Sequence, residues 1–377
     1  MRFSNKTSPS QASNDHGRLT PHSLRLWHVT TMATAAVPAA IPANDTVTLS
    51  NGVKMPLVGF GCAGRLGRGP LKLALDAGYQ LFDTSQAAEW YIEEELGAAL
   101  NQSSVRREEL FLTTKLHPRD LGESSTLRAF PSSLSKLQTS YVDAFLLHYP
   151  RCFGNLCGGS HQPSGTWRES WRAMESLYER GLIRALGVSN FSPEELRELL
   201  SMARIGPHVV QSWMDPLSQA RRLREVCTAH GVLFQAYSTL GTQWAGQGVR
   251  INPVLRHPVL AEIGREVDRS PAQVALRWAL QHGAAVIPRS TKPKNMAANL
   301  RLFDFALSSQ HMAAIDALDG TDPHSVHAPP PPPRTCEDET DACGAWADAG
   351  ECDTNPGYMH KACAASCDTC SERKLEL

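Results

Sequence analysis

Residues 183–204 read IRALGVSNFSPEELRELLSMAR, and the way they divide decides the fold. The first part, IRALGVSN, is a short and nearly continuous apolar run, whereas SPEELRELLSMAR carries its apolar residues at helical spacing. A strand that is apolar on both faces belongs in a sheet covered on both sides, and a strand followed by a helix belongs to a parallel α/β fold. The couplet recurs outward in both directions. Strands are expected at LVGFG (57–61), QLFDT (80–84), LFLTTKL (110–116), VDAFLLHY (142–149), HVVQSW (208–213), VLFQAYS (232–238) and AAVIPRS (284–290). Helical patterns lie at 70–78, 93–101, 125–138, 167–181, 218–231 and 270–283. Eight strands alternating with helical patterns predict a (β/α)8 TIM barrel of class α/β. A doubly wound open sheet is the rival, weakened because no G-x-G-x-x-G opens a helix after the first strand. Ahead of the barrel, TVTLSNGVKMPLV (46–58) reads as an N-terminal β-hairpin, with Asn51-Gly52 suited to a type I′ turn.

Composition narrows the function classes. The formal charge of −1 lacks the basic surplus of a general nucleic-acid or anionic-membrane binder, so no nucleic-acid partner is expected. No apolar run reaches the length of a transmembrane segment. Residues 1–45 are rich in Ser, Thr, Ala and Pro with few acids, which reads as a disordered or targeting extension. The expected divisions are that extension, a barrel over 46–322, a proline-rich linker over 323–335, a disulfide module over 336–370 and a tail over 371–377.

A parallel barrel collects its chemistry at the C-terminal ends of its strands. The polar residues there are Asp83, Lys115, His148, Ser189, Asn190, Gln211, Tyr237 and Arg289. Singly, each reads as a solvated or capping residue; together, from seven strands, they read as one site.

These residues, in this order, resemble the aldo-keto reductase family. The likeness runs from about Thr46 to Gly320 through GYQLFDTSQ, FLTTKL, YVDAFLLHYP, GLIRALGVSNFSPEEL, QAYSTLG and IPRSTKP. The resemblance implies reduction of a small carbonyl substrate by hydride from a nicotinamide, with a tyrosine giving a proton to the developing alkoxide. A phenol of pKa about 10 is a slow acid at neutral pH, so a neighbouring lysine ammonium, held charged by an aspartate, is expected to favour phenolate. Lys115, Asp83 and the carbonyl-orienting His148 match. The family places its tyrosine five residues after the aspartate, where this chain has Ala88; Tyr91, eight residues after Asp83, is the candidate. Trp90 cannot serve, because an indole N–H is a donor and not a usable acid. For the cofactor, the resemblance implies Ser189, Asn190 and Gln211 on the carboxamide and Tyr237 stacked on the nicotinamide. It puts Ser238, Leu240 and Gly241 along the pyrophosphate, and Arg289, Ser290 and Asn299 at the adenosine end. Arg289 suits a 2′-phosphate, but the family's further basic and acidic positions are Asn295 and Ala298 here. NADPH is therefore expected, with NADH left open. The shifted tyrosine keeps a second class in play: a catalytically weak nucleotide-binding regulator or interaction protein on the same barrel.

Six of the ten cysteines stand in the last forty-odd residues as C-x6-C-x8-C-x10-C-x3-C-x2-C, from Cys336 to Cys370. So short a segment needs covalent staples or a metal, and six cysteines suit three disulfides better than a four-ligand zinc cage. Spacing alone leaves 15 pairings. With GECDTNPGYM, the pattern resembles the ShK-toxin-like (ShKT) module, which implies Cys336–Cys370, Cys343–Cys363 and Cys352–Cys367 and a protein partner for the module. No metal is expected. Such disulfides favour a secretory or extracellular location, whereas the extension fits an organellar transit segment. Cys152 and Cys157 can pair or stay free, as far as their spacing goes.

Overall fold

The N-terminal hairpin is present, but its turn differs from the one expected. In the computed structural model, which describes residues 45–153, 156–158, 162–325, 343–349 and 366, β1 (Thr46–Thr48) pairs antiparallel with β2 (Lys54–Pro56). A type I′ turn needs left-handed backbone at both central residues, yet of Asn51 and Gly52 only Gly52 has it, at φ 85°. Leu49 N donates to Val53 O and Gly52 N to Leu49 O, each at 2.8 Å, so the loop is three residues with a glycine bulge. Asn51 is held elsewhere. Its Nδ2 donates to Arg184 O at 2.8 Å and to Tyr178 Oη at 3.3 Å, which ties the hairpin to the N-terminal end of the fifth barrel strand.

The barrel strands are β3 (Phe60–Gly61), β4 (Leu81–Asp83), β5 (Phe111–Leu116), β6 (Val142–Leu147), β7 (Ile183–Ser189), β8 (Val209–Trp213), β9 (Leu233–Tyr237) and β10 (Ala285–Val286). Each is parallel to its neighbour in chain order. Closure comes from a parallel bridge between Val58 and Val286, flanked by Gly59 N to Val286 O and Val286 N to Leu57 O at 2.8 Å each. Closure at this seam depends on glycine: a Cβ on Gly61 would stand 2.7 Å from Ile287 O, and one on Gly59 would run into the Leu81 side chain. The eight parallel strands and surrounding helices are the expected (β/α)8 barrel.

The helices are α1 (Arg68–Asp76), α2 (Glu93–Asn101), α3 (Glu123–Leu137), α4 (Trp167–Glu179), α5 (Pro193–Met202), α6 (Arg221–Ala229), α7 (Thr242–Gly246), α8 (Pro258–Glu266), α9 (Pro271–Gln281), α10 (Pro293–Leu300) and α11 (Ser309–Asp316). Several begin at built caps. Thr166, Ser192 and Ser270 each accept the N–H three residues on, while Glu169, Glu195 and Gln273 reach back, a box in which the cap alone contributes about 1 kcal/mol. The apolar faces then pack inward. Trp171 of α4 is fully buried and its indole donates to Ile205 O at 3.2 Å, satisfying the one polar atom it carries inside. One strand–helix connection is longer than expected: α7 and α8 intervene between β9 and α9. Beyond the barrel, α12 (Cys343–Asp348) contains Cys343, which is disulfide-bonded. Cys363, the pairs Cys336–Cys370 and Cys352–Cys367, the proline run 329–333 and residues 1–44 lie outside the described residues. No helix among the described residues is long and apolar enough to cross a membrane.

Candidate active site

Burial decides the electrostatics at the mouth of the barrel. Asp83 ends β4 and Lys115 lies one strand over in β5, and both are almost completely removed from solvent. Lys115 Nζ donates to Asp83 Oδ1 at 2.5 Å and to Thr84 O at 2.9 Å. The other carboxylate oxygen, Asp83 Oδ2, accepts from Gln211 Nε2 at 2.7 Å, and the same nitrogen contacts Gln235 Oε1 at 2.7 Å. A buried ion pair is tolerable only when its remaining lone pairs and protons are met in this way. Gln211 therefore faces the aspartate, a partner the sequence did not suggest.

His148 follows β6 and is buried. Its Nδ1 lies 3.0 Å from Ser85 Oγ, and that oxygen accepts Ala87 N at 3.1 Å. The serine proton is thereby free for Nδ1, which sets the Nε2–H tautomer. Burial, then the charges of Lys115 and His117, hold the imidazole pKa well below its ordinary value, so the ring is neutral at pH 7.

Tyr91 reaches this pair from the loop between β4 and α2. Ala87 O accepts both Trp90 N (3.0 Å) and Tyr91 N (2.9 Å), and Trp90 O accepts Gly64 N and Arg65 N at 2.8 Å, so the loop is anchored on two sides. The Tyr91 ring centroid is 5.0 Å from Lys115 Nζ and 6.0 Å from the centre of the His148 ring. Trp90 turns outward, 37% exposed, with its ring 5.8 Å from that of His148. One expectation is corrected here. The Tyr91 phenol is pushed well above its ordinary pKa by burial, with Asp83, Tyr149, Cys62 and Tyr237 adding to the rise. Lys115 gives its hydrogen bonds to Asp83 and Thr84 and stands over the face of the tyrosine ring.

The next strands supply a second cluster. Asn190 sits at φ 59°, a left-handed conformation that asparagine tolerates, and this turns its amide into the mouth. Its Nδ2 donates to His148 O (3.0 Å) and Ser189 Oγ (3.1 Å), while its Oδ1 accepts the Tyr237 hydroxyl at 2.6 Å. Ser238, at φ 53°, and Gly241, at φ 77°, form a turn in which Gly241 N donates to Ser238 O at 2.8 Å. Asn252 Nδ2 backs that turn by donating to Leu240 O at 2.8 Å.

The residues expected at the adenosine end lie on the β10–α10 connection and on α10. Arg289 Nη1 donates to Ala63 O at 3.1 Å across the β3–β10 seam, and Ser290 Oγ accepts Lys292 N at 3.1 Å. Asn299 is buried on α10 beside the Tyr79 hydroxyl, which donates to Met296 O at 3.2 Å. Lys292 and Lys294, exposed at the start of α10, were not anticipated from the sequence.

An aromatic wall borders the mouth. The Tyr149 ring is tilted against that of His148 at 4.8 Å and meets Phe153, which is 48% exposed, edge to face at 4.7 Å. Phe153 follows Cys152, and Cys152 is joined to Cys157 by a disulfide with Cα atoms 5.8 Å apart. Cys62 and Cys227 are free and buried. Sequence reasoning also missed Ser85 and His117, whose Nε2 lies 3.4 Å from Glu89. The visible signal was the lengthened loop after Asp83. Among the described residues no cluster of His, Cys, Asp or Glu could hold a metal ion.

The profile of the Aldo/keto reductase family matches residues 69–320, and the ShK domain-like profile matches residues 335–370. A glyoxal reductase of Bacillus subtilis (strain 168) is 40% identical over 278 residues, covering 73% of this chain and 92% of that protein. An NADPH-dependent D-xylose reductase of Meyerozyma guilliermondii is 33% identical over 302 residues, covering 73% and 94%. Among solved structures, MGS-M4, an aldo-keto reductase from a Medee basin deep-sea metagenome library, superposes with a TM-score of 0.65 at 32% identity, covering 73% of this chain and 96% of its own. With the profile spanning two thirds of its length and a relative 40% identical over 278 residues, this chain belongs to the aldo/keto reductase family of oxidoreductases.

Proposed function

We propose that the chain reduces an aldehyde or ketone to the alcohol with NADPH, and that Tyr91 is its general acid. The observation that carries this reading is the position of the Tyr91 ring, beside both the Lys115 ammonium and the His148 imidazole. When bound, the nicotinamide would supply a hydride to the carbonyl carbon. The protein's part is to bind, orient and protonate. His148 Nε2–H donates to the carbonyl oxygen and makes the carbon more electrophilic. Burial keeps the Tyr91 proton on its oxygen until negative charge builds on the substrate, when it passes to the alkoxide. The phenolate left behind would face the Lys115 ammonium, itself paired with Asp83.

The donor set suits a nicotinamide dinucleotide. Tyr237 is a half-buried aromatic face, Ser189 and Asn190 offer hydroxyl and amide groups, and the Ser238–Gly241 turn offers backbone N–H groups. Arg289, Lys292 and Lys294 are exposed cations at the β10–α10 connection, which supports NADPH over NADH. Trp90, Tyr149 and Phe153 would line one side of the substrate. The relatives named for glyoxal and D-xylose support small aldehydes as the class to try first.

The test is consumption of NADPH with an aldehyde panel by wild type and by Tyr91→Phe and Lys115→Met. Turnover present in wild type and lost in both variants is expected. Nucleotide binding with no turnover toward any carbonyl would replace this reading with the regulatory one.

For the remaining segment we infer an oxidising compartment and a protein partner for residues 336–370. The Cys152–Cys157 bridge and the disulfide state of Cys343 support the first inference. Mass mapping of disulfides in protein taken from its native host, with every cysteine of 336–370 reduced, would overturn it.

A further inference from the structure

Asp215 is a fully buried carboxylate just beyond β8, and the chemistry proposed above makes no use of it. Its two oxygens have separate tasks. Oδ1 accepts Leu217 N at 2.8 Å and Ser218 N at 3.1 Å, which holds the tight turn Asp215–Ser218. Oδ2 accepts two indole N–H groups, Trp213 Nε1 at 2.8 Å and Trp244 Nε1 at 2.9 Å. The indoles meet edge to face with centres 4.9 Å apart. They arrive from different elements. Trp213 ends β8 in register with Tyr237, whereas Trp244 belongs to α7, the short helix that follows the Ser238–Gly241 turn. Trp244 O also accepts Gln247 N (3.0 Å) and Val249 N (3.1 Å), so the rest of the loop is built around this one residue.

Two indole donors converging on one carboxylate oxygen form charge-assisted hydrogen bonds, the stronger kind in a dry interior. A buried carboxylate with no cation among its hydrogen-bond partners is a costly choice for a site that needed only packing. Desolvation shows in its pKa, pushed up to about 6.

We propose that Asp215 is a positioning residue for the cofactor: through Trp244 it latches the Ser238–Val249 loop against the strand end that carries Trp213 and Tyr237, and so slows nucleotide release. This rests on the reading that Ser238, Leu240 and Gly241 border the pyrophosphate.

The two-oxygen division provides a clean test. In Asp215→Asn the side-chain oxygen can keep the turn amides, while the new NH2 faces the indoles and cannot accept from them. Trp244→Phe removes the loop's donor and retains an aromatic filler. NADPH affinity is measured by calorimetry and its dissociation by stopped-flow fluorescence of the reduced nicotinamide, after far-UV dichroism and melting confirm that each variant is folded. Both variants are expected to raise Kd and the dissociation rate about tenfold, the loss of one or two charge-assisted hydrogen bonds. The KM for nucleotide should rise with them, while kcat holds or increases and the KM for aldehyde stays put. The double variant should be no worse than the poorer single one, because both break one contact. Folded variants that bind NADPH within twofold of wild type would overturn the latch and leave the reductase reading intact. If Asp215→Asn does not fold, Trp244→Phe decides alone. Wild-type protein that binds neither NADPH nor NADH would overturn the nucleotide reading, and the latch with it.

Discussion

Lys115 and Tyr91 stand side by side at the mouth of the barrel but are positioned by different physics. Lys115 lies within β5, paired with β4 and β6, so the ladder register fixes its distance from Asp83. Tyr91 is delivered by a loop without a ladder, held by Ala87 O, by the Gly64 and Arg65 amides, and by Ser85 between the loop and His148. A strand-end residue is part of the fold's own stability, whereas a loop residue can be altered with little effect on the core. The lysine position should therefore respond to mutation in both stability and rate, and the tyrosine position in rate alone.

The sharpest way to break this contrast is Lys115→Met. Removing one partner strands Asp83 in the interior, so unfolding should become easier by about 3–5 kcal/mol, and turnover should be lost as well. Chemical denaturation with an assay on the same sample measures both; an unchanged denaturation midpoint would contradict the strand-side argument. Next comes Tyr91→Phe, expected to lower kcat by about 10²–10⁴-fold, the range for losing a general acid, with the melting temperature close to that of wild type. A melting shift as large as that of Lys115→Met would erase the distinction between the two positions.

Ser85→Ala sharpens the loop side further. It frees Nδ1 of His148 and loosens the Tyr91 loop, so kcat should fall about tenfold, the scale of one lost hydrogen bond. Nitrogen NMR of labelled histidine should show the loss of a single Nε2–H tautomer in that variant; a wild-type spectrum would argue against the serine's role.

The smallest effect is the pH dependence contributed by Asp215. Its folded pKa of about 6 exceeds the ordinary carboxylate value of 3.8. The unfolded chain therefore loses this proton first as pH rises. The group's contribution to stability is whole below about pH 3.8 and is lost as pH climbs through 6. Comparing urea midpoints of wild type and Asp215→Asn from pH 4 to 7 should expose that step in the wild type only; parallel curves would show that the carboxylate is not held as described.

How much was legible in the sequence follows from what each element depends on. The strands around Lys115 and His148 were readable because doubly covered strands must be apolar along their length, and a polar residue at the end of such a run is conspicuous. The hairpin was found but its turn was misread, because Asn51 bonds to Arg184 O and Tyr178 Oη, residues more than a hundred positions away. Asp215 went unnoticed for the same reason: its meaning lies in Trp244, twenty-nine residues on. Helix α8 was missed because its run sits inside what looked like a single connection after β9.

The amino-acid order alone dictated the barrel, the strand on or beside which each polar residue stands, and the six-cysteine segment, since all three follow from periodicity, spacing and local composition. Only the tertiary structure decided that Tyr91 meets Lys115 through its ring, that Cys152 pairs with Cys157, and that one carboxylate gathers two indoles from separate elements. Those outcomes depend on chain segments that approach one another only after the sheet has closed, and on the dry interior that closure creates, where a single unmatched charge or donor sets which contacts can form.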